Sequence, residues 1–361
     1  MEEKRKKGRM DCTLLLIVVL LVVIGLVILY STSAYNGQVK FHDSFYYLKK
    51  QAFATVLGIV LMLFVAGMDY HIWQRLAVFG YLAAVALSVA VMLFGREING
   101  SKRWLALGPF SFQPSEFAKV ALILFLADLV TKNVKTIGKM WTLCRIMFWI
   151  LPIVGLVGAS NLSTAIIILG IGVILIFVAS PKYAQFALMG LAGVCFMGLF
   201  LALESYRLER LAIWRNPEKY EKGYQTLQGL YAIGSGGVFG VGLGNSVQKL
   251  GFVPEAQNDM IFSIICEELG LAGAGIIVFL FLLLIWRFFM IASGSRDLFG
   301  ALIATGAMAH MMIQVVLNIA VVTNTIPNTG ITLPFISYGG TSVMFLLIEM
   351  GLVLSVSQVV D

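Results

Sequence analysis

Residues 13–30 read TLLLIVVLLVVIGLVILY, a run without a single charge. A hydrocarbon core about 30 Å thick is crossed by about 20 predominantly apolar helical residues, so this stretch predicts a membrane-spanning helix. The basic segment MEEKRKKGR ahead of it resembles the start of a signal peptide. However, Tyr30-Ser31-Thr32-Ser33-Ala34 makes a poor cleavage site and further apolar runs follow, so the helix is expected to be retained as the first span.

Similar runs recur at about 52–68, 75–94, 116–131, 146–159, 162–179, 184–203, 260–286, 298–322 and 340–358. Of 361 residues, 59% are hydrophobic and 12% charged, against about 25% charged in a soluble domain. The runs are continuous and do not alternate, which selects helices over a membrane barrel. The expected fold is an all-α polytopic membrane protein of about ten transmembrane helices. Residues 1–361 form one membrane domain, with no soluble part long enough to hold a core of its own. Cys12, Cys144, Cys195 and Cys266 show no CxxC spacing, which argues for single buried thiols and against a zinc site or disulfide framework.

Orientation follows from basic residues near span ends. Lys4, Arg5, Lys6, Lys7 and Arg9 precede the first span, and Lys132, Lys135, Lys139 and Arg145 fall between the fourth and fifth. With an even number of spans both groups lie on one side, assigned to the cytoplasm, and both termini are inside. The opposite side then carries cations in 95–115 and in the one long loop, about 204–259, between the seventh and eighth spans. Long translocated segments escape the charge rule, and an anionic ligand on the outer face explains such a cluster most simply.

Asp259 ends the long loop, immediately before Met260-Ile261-Phe262. Its spacing fits a helix N-cap, and a capping carboxylate can still face a substrate. The glycine-rich run from Gly234 to Asn245 has no preceding strand and no phosphate-loop signature, so nucleotide binding is excluded. A tight membrane-side turn explains it at least as well as a backbone phosphate cradle. Lys249 taken alone reads as a surface lysine; Arg210 and Arg215 read as snorkelling side chains. Glu116 and Lys119 are i,i+3 neighbours able to pair within the membrane. His310, Gln314 and Asn318 recur at i,i+4, a stripe that interhelical hydrogen bonding explains. These residues describe a cation-lined cleft with a carboxylate at its floor, and enzyme and transporter are both compatible with it.

Longer strings add a resemblance. They are Asn99-Gly100-Ser101-Lys102-Arg103-Trp104, Phe112-Gln113-Pro114-Ser115-Glu116 with Lys119, Gly223-Tyr224-Gln225, the run from Gly242 to Leu250, Pro254 to Asp259, Glu267-Glu268-Leu269-Gly270 and Leu333 to Gly340. In this order they resemble the SEDS family (shape, elongation, division and sporulation), which contains FtsW, RodA and SpoVE. The string Asn245-Ser246-Val247-Gln248-Lys249 is closer to the FtsW and SpoVE branch than to RodA. Ser160-Asn161-Leu162-Ser163-Thr164 departs from the family's Pro-Asp-Leu-Gly-Thr, placing an amide where an acid is usual.

The resemblance implies a peptidoglycan glycosyltransferase that polymerises lipid II at the outer face of the bacterial cytoplasmic membrane, alongside a class B penicillin-binding protein and other division or elongation membrane proteins. It maps the family's essential aspartate onto Asp259. Candidate substrate-binding residues are Lys249, Arg210, Arg103, Lys102, Glu116, Lys119, Gln248 and Ser337. No cofactor is required by the pattern, although a divalent cation (Mg or Mn) could assist the departing diphosphate. The rival readings are a lipid II flippase and a non-catalytic scaffold for the penicillin-binding protein.

Overall fold

The computed structural model describes residues 8–98, 101–107, 110–187, 190 and 211–359. Ten α-helices carry the fold among them: α1 (Cys12–Phe41), α2 (Tyr46–Gly67), α3 (Tyr70–Phe94), α4 (Pro114–Asn133), α5 (Met140–Ser160), α6 (Leu162–Ala179), α7 (Tyr224–Ser235), α8 (Ile261–Gly294), α9 (Leu298–Val322) and α10 (Gly340–Ser357). Eight of them are long and apolar enough to cross a membrane. The other two are α4, with four charged side chains, and the short α7. Most of the span expected at 184–203 lies outside the described residues.

Local signals set the helix ends. Asp11 caps α1, its carboxylate accepting from Leu14 N at 2.8 Å. Asn161 separates α5 from α6 and caps the latter, accepting from Thr164 N at 3.2 Å, so the expected break at 159–161 is present. Asp297 caps α9 through Gly300 N. The first helix runs eleven residues past the predicted end at Tyr30, to Phe41. Its polar second half is held by partners: Ser31 on Glu268, Thr32 on its own Ile28 carbonyl, and Asn36 on Gln257.

The core is built round α4 and α9. α4 is buried over most of its length, and α9 packs on α4, α6, α8 and α10. Lipid and neighbouring helices are equally apolar, so burial here is set by packing and polar contacts rather than by amphipathicity. Gly8 N donates to Gln358 O at 2.7 Å and Asp11 N to Ser357 Oγ at 3.1 Å, so both chain ends meet on one face of the bundle.

Two features add to the expected all-α fold. Segment 95–115 contains an antiparallel sheet in the order β1 (Arg96–Ile98), β2 (Ser101–Leu107), β3 (Phe110–Phe112). Ile98 pairs with Ser101 and Leu105 with Phe112. The second is the long loop, which contributes α7, packed along the start of α8.

Past α7 the chain turns through four glycines with positive φ, Gly237, Gly240, Gly242 and Gly244. The turn enters a break in α8 at Gly270 (φ 67°, ψ −168°). Val241 N and Gly242 N donate to the carbonyls of Glu267 and Glu268, and Leu271 N and Ala272 N to those of Gly237 and Val238, all at 2.9–3.0 Å. The α8 groups among these, the carbonyls of Glu267 and Glu268 and the N–H groups of Leu271 and Ala272, would otherwise be orphaned at a break inside a membrane helix. The glycine run is therefore a tight turn spliced into α8.

Candidate active site

The carboxylate of Asp259 lies one residue before the Met260 cap of α8, and Met260 makes no side-chain capping bond. Asp259 is thus no N-cap. Its Oδ1 instead accepts from Gln225 Nε2 of α7 at 3.3 Å, and its carbonyl from Asn318 Nδ2 of α9 at 2.9 Å. Asn328 Nδ2 donates to Gln225 Oε1 at 3.3 Å, so the amide that holds the carboxylate is itself held. Burial pushes the Asp259 pKa up to about 6, opposed by its own backbone N–H, with the Glu255 charge adding to the rise.

Asp259 opens into a cavity of about 1050 Å³. Its walls come from α2, β2, the starts of α4 and α6, α7, α9 and the 330–344 segment. Arg103, Lys49 and Lys50 supply positive charge, and Phe53, Leu57 and Met344 an apolar flank. Phe53 is 60% exposed, so this flank is continuous with the lipid-facing surface of α2. A phosphate-bearing head and an apolar tail would find matching halves in the same space.

Of the residues singled out from the sequence, Asp259, Arg103, Glu116, Lys119 and Ser337 line this cavity. Arg103 Nε donates to the Ser160 carbonyl at 3.0 Å, where α5 meets α6. Glu116 accepts from Ser342 Oγ at 2.8 Å and pairs with Lys119 at 3.1 Å, as the i,i+3 spacing allows. Ser337 Oγ accepts from Leu333 N at 2.8 Å and closes the turn that forms one wall. Phe335 in that turn has φ 63°, a strained conformation for an aromatic residue and one held by surrounding packing.

Lys249 and Gln248 do not line the cavity. Lys249 is buried away from the cavity, its ammonium 2.6 Å from Glu268 and 3.0 Å from Ser31 Oγ. A cation already neutralised by a buried carboxylate has no charge to offer a diphosphate. Gln248 sits beside it on the same turn, its N–H and carbonyl directed at the α8 splice and at Val253. Lys102 lies on β2 in register with Glu97, its side chain outside the described residues, and Arg210 lies outside them altogether.

Among the cavity residues that the sequence reading did not assign to the site are Lys49, Lys50, Gln225 and Trp104. Lys49 pairs with Asp43 at 2.8 Å, and Lys50 donates to Tyr46 Oη at 2.6 Å from above that ring. The Lys-Lys pair at the head of the second span was a readable signal, because it falls on the same side as the other loop cations. Gln225 and Trp104 were visible only as members of the longer strings.

The family model described as cell cycle protein, covering FtsW, RodA and SpoVE, matches residues 12–361. The chain belongs to the FtsW/RodA/SpoVE family. It is 40% identical to stage V sporulation protein E of Bacillus subtilis, covering 98% of both chains. It is 35% identical to a protein of Trichlorobacter lovleyi named "Probable peptidoglycan glycosyltransferase FtsW", covering 96% of this chain and 93% of that one. Among solved structures, a chain of a peptidoglycan synthase complex that coordinates polymerization and crosslinking superposes with a TM-score of 0.83 at 30% identity, covering 96% and 97%. The rod shape determining protein RodA of Thermus thermophilus superposes with a TM-score of 0.72 at 29% identity, covering 96% of each chain. The 40% identity to SpoVE agrees with the branch suggested by residues 245–249.

Proposed function

We infer that this chain is a multi-pass membrane peptidoglycan glycosyltransferase that polymerises lipid II. The observation that carries the reading is the placement of Asp259. It is a carboxylate of raised pKa, held by an amide network, on the wall of a cavity with cations on one side and apolar surface on the other.

Making a β-1,4 glycan from an α-linked lipid diphosphate inverts the anomeric carbon, so one displacement suffices. The acceptor hydroxyl oxygen bonds to that carbon as the diphosphate leaves, and the hydroxyl proton passes to Asp259. A base with pKa about 6 is mostly ionised at pH 7 and stronger than an ordinary carboxylate, which suits this step. Arg103 and Lys50 stabilise the charge accumulating on the diphosphate, while Lys49, already paired with Asp43, adds little. Lys119, paired with Glu116 at the cavity wall, orients the sugar head.

Among the described residues no group of three or more His, Cys, Asp or Glu side chains gathers to hold a metal. Glu255, beside Asp259, is engaged by Asn258 and by Lys40. The mechanism is derived from these described residues without a divalent cation.

We place the cavity at the outer face of the cytoplasmic membrane and the paired termini in the cytoplasm, on the basic residues at 4–9 and 132–145. A class B penicillin-binding protein is the proposed partner, supported by the likeness to a synthase complex that polymerises and crosslinks. The test is purified protein, with and without that partner, incubated in detergent with labelled lipid II. Polymer formed in a single compartment requires an enzyme, and a flippase or a scaffold gives none. Asp259→Asn is expected to remain folded and to form no polymer.

A further inference from the structure

From the cavity wall, Lys119 and Gln314 lead inward to two buried side chains that the displacement step does not use, His310 and Glu349. Lys119, Gln314, His310 and Glu349 are each no more than 2% exposed, in the middle of the helix bundle. Lys119 Nζ donates to Gln314 Oε1 at 3.2 Å, and Gln314 Nε2 donates to the Thr332 carbonyl at 3.0 Å. His310 Nε2 lies 2.8 Å from the same Gln314 Oε1, and His310 Nδ1 lies 2.8 Å from Glu349 Oε2. Such groups are costly within a membrane and are retained where they do something.

The hydrogen positions follow from chemistry. An ammonium can only donate and a peptide carbonyl can only accept, so Lys119 and Thr332 together fix which end of the Gln314 amide is oxygen. His310 Nε2 faces that oxygen and must carry a hydrogen. One further proton then occupies the 2.8 Å gap between Nδ1 and Glu349, whether it rests on the ring or on the carboxyl. In both arrangements the pair as a whole is neutral and presents an N–H to Gln314. Removing that proton would let the ring turn its N–H to Glu349 and its lone pair to Gln314 Oε1, which would repel the amide.

We propose that His310 and Glu349 are a proton-sharing positioning pair which, through Gln314, aligns Lys119 and the Thr332 carbonyl in the cavity wall. The pair touches no substrate, and the proposal rests on the assignment of Lys119 to the sugar-orienting wall. Gln314 and Lys119 line the cavity, while His310 and Glu349 do not. The charged groups facing the pair are Glu116 and Lys119 from α4; α9 and α10 carry the pair itself. Positioning of this kind alters turnover because small displacements of an orienting group are costly, up to about a hundredfold per ångström.

The experiment measures lipid II polymerisation and thermal unfolding side by side on the full chain with its partner. Glu349→Gln keeps the shape and donates an amide hydrogen to Nδ1, which leaves the ring hydrogen on Nε2. It is expected to keep turnover within about twofold, since all the bonds survive. The double variant His310→Leu with Glu349→Leu removes the pair without leaving a buried charge, a change that is often neutral or stabilising. It is expected to keep its Tm while kcat drops about tenfold, with KM changed far less. In a Gln314→Leu background, removing the pair is expected to cost nothing more, because its influence passes through that amide. A double variant as active as wild type, losses that multiply in the Gln314→Leu background, or a tenfold loss in Glu349→Gln would each overturn the proposal. Because Glu349→Gln is isosteric, the last outcome decides even if the double variant fails to fold. Absence of polymer from the wild-type protein itself would instead count against the glycosyltransferase reading.

Discussion

Lys249 and Glu268 meet at 2.6 Å in the interior of the bundle, fastening the glycine-rich turn to the broken helix α8 and, through Ser31, to α1. The same turn leads, ten residues on, to Asp259. The pair therefore acts on the site by fixing the path of the chain that carries the base. Removing one partner of a buried ion pair typically costs about 3–5 kcal/mol, because the other charge is stranded. Lys249→Ala is expected to lower the Tm of the detergent-solubilised protein markedly. The folded fraction should show an unaltered KM for lipid II, and adding Glu268→Ala should recover part of the stability. A raised KM at unchanged Tm would return Lys249 to the substrate-binding set.

The pKa of about 6 for Asp259 gives a definite pH dependence. A general base works only when ionised, so kcat/KM should fall as pH drops through about 6, with an acid limb well above that of a free carboxylate. The same rise has an opposite effect on stability. A carboxyl group whose folded pKa lies above its unfolded value of 3.8 binds protons more readily in the native state. It therefore stabilises the fold least at high pH, once it is ionised in both states. Asp259→Asn should accordingly have a Tm at pH 8 equal to or above that of the wild type while losing polymerisation. A clear fall in Tm would mean the carboxylate is structural.

Lys50 and Lys49 should separate kinetically. Lys50 donates to a tyrosine hydroxyl, while Lys49 is already paired with Asp43. Charge-assisted bonds to phosphate are worth roughly twice neutral ones. Lys50→Ala is expected to raise KM for lipid II about tenfold, and Lys49→Ala by at most about twofold, since an exposed pair contributes little. Initial rates against lipid II concentration distinguish the two.

Much of this was legible in the residues. The apolar runs located the helices, the break at Asn161 was readable from Ser160-Asn161 between two apolar runs, and the i,i+4 stripe on α9 does hydrogen-bond as its spacing requires. His310 reaches Glu349, Gln314 reaches Thr332, and Asn318 reaches Ile331 and Asp259. What stayed hidden depends on partners far away in sequence. The second half of α1 reads as a polar loop unless Glu268 and Gln257 are known to lie beside Ser31 and Asn36. Lys249 reads as an exported cation for the same reason. The small sheet was missed because its outer strands are three residues long, too short for an alternation to register, although Asn99-Gly100 is a hairpin signal. The cavity could not be read at all, because its walls are drawn from segments spread between Lys49 and Met344.

The splice at the α8 break supplies the last prediction. Gly240 has φ 78°, and a Cβ placed there would lie 2.2 Å from the Glu268 carbonyl oxygen, a backbone atom that cannot retreat without breaking its bond to Gly242 N. Gly234, near the end of α7, has nothing within 4 Å of the corresponding position. Gly234→Ala should therefore be neutral or stabilising by up to about 1 kcal/mol, the ordinary gain of alanine over glycine in a helix. Gly240→Ala carries both the left-handed backbone cost, about 1–2 kcal/mol, and the clash. It should lower Tm well below that of Gly234→Ala and loosen the turn that sets the height of Asp259. Polymerisation should fall more steeply than the folded fraction does, and activity per folded molecule equal to wild type would show that the splice supports the fold without positioning the base.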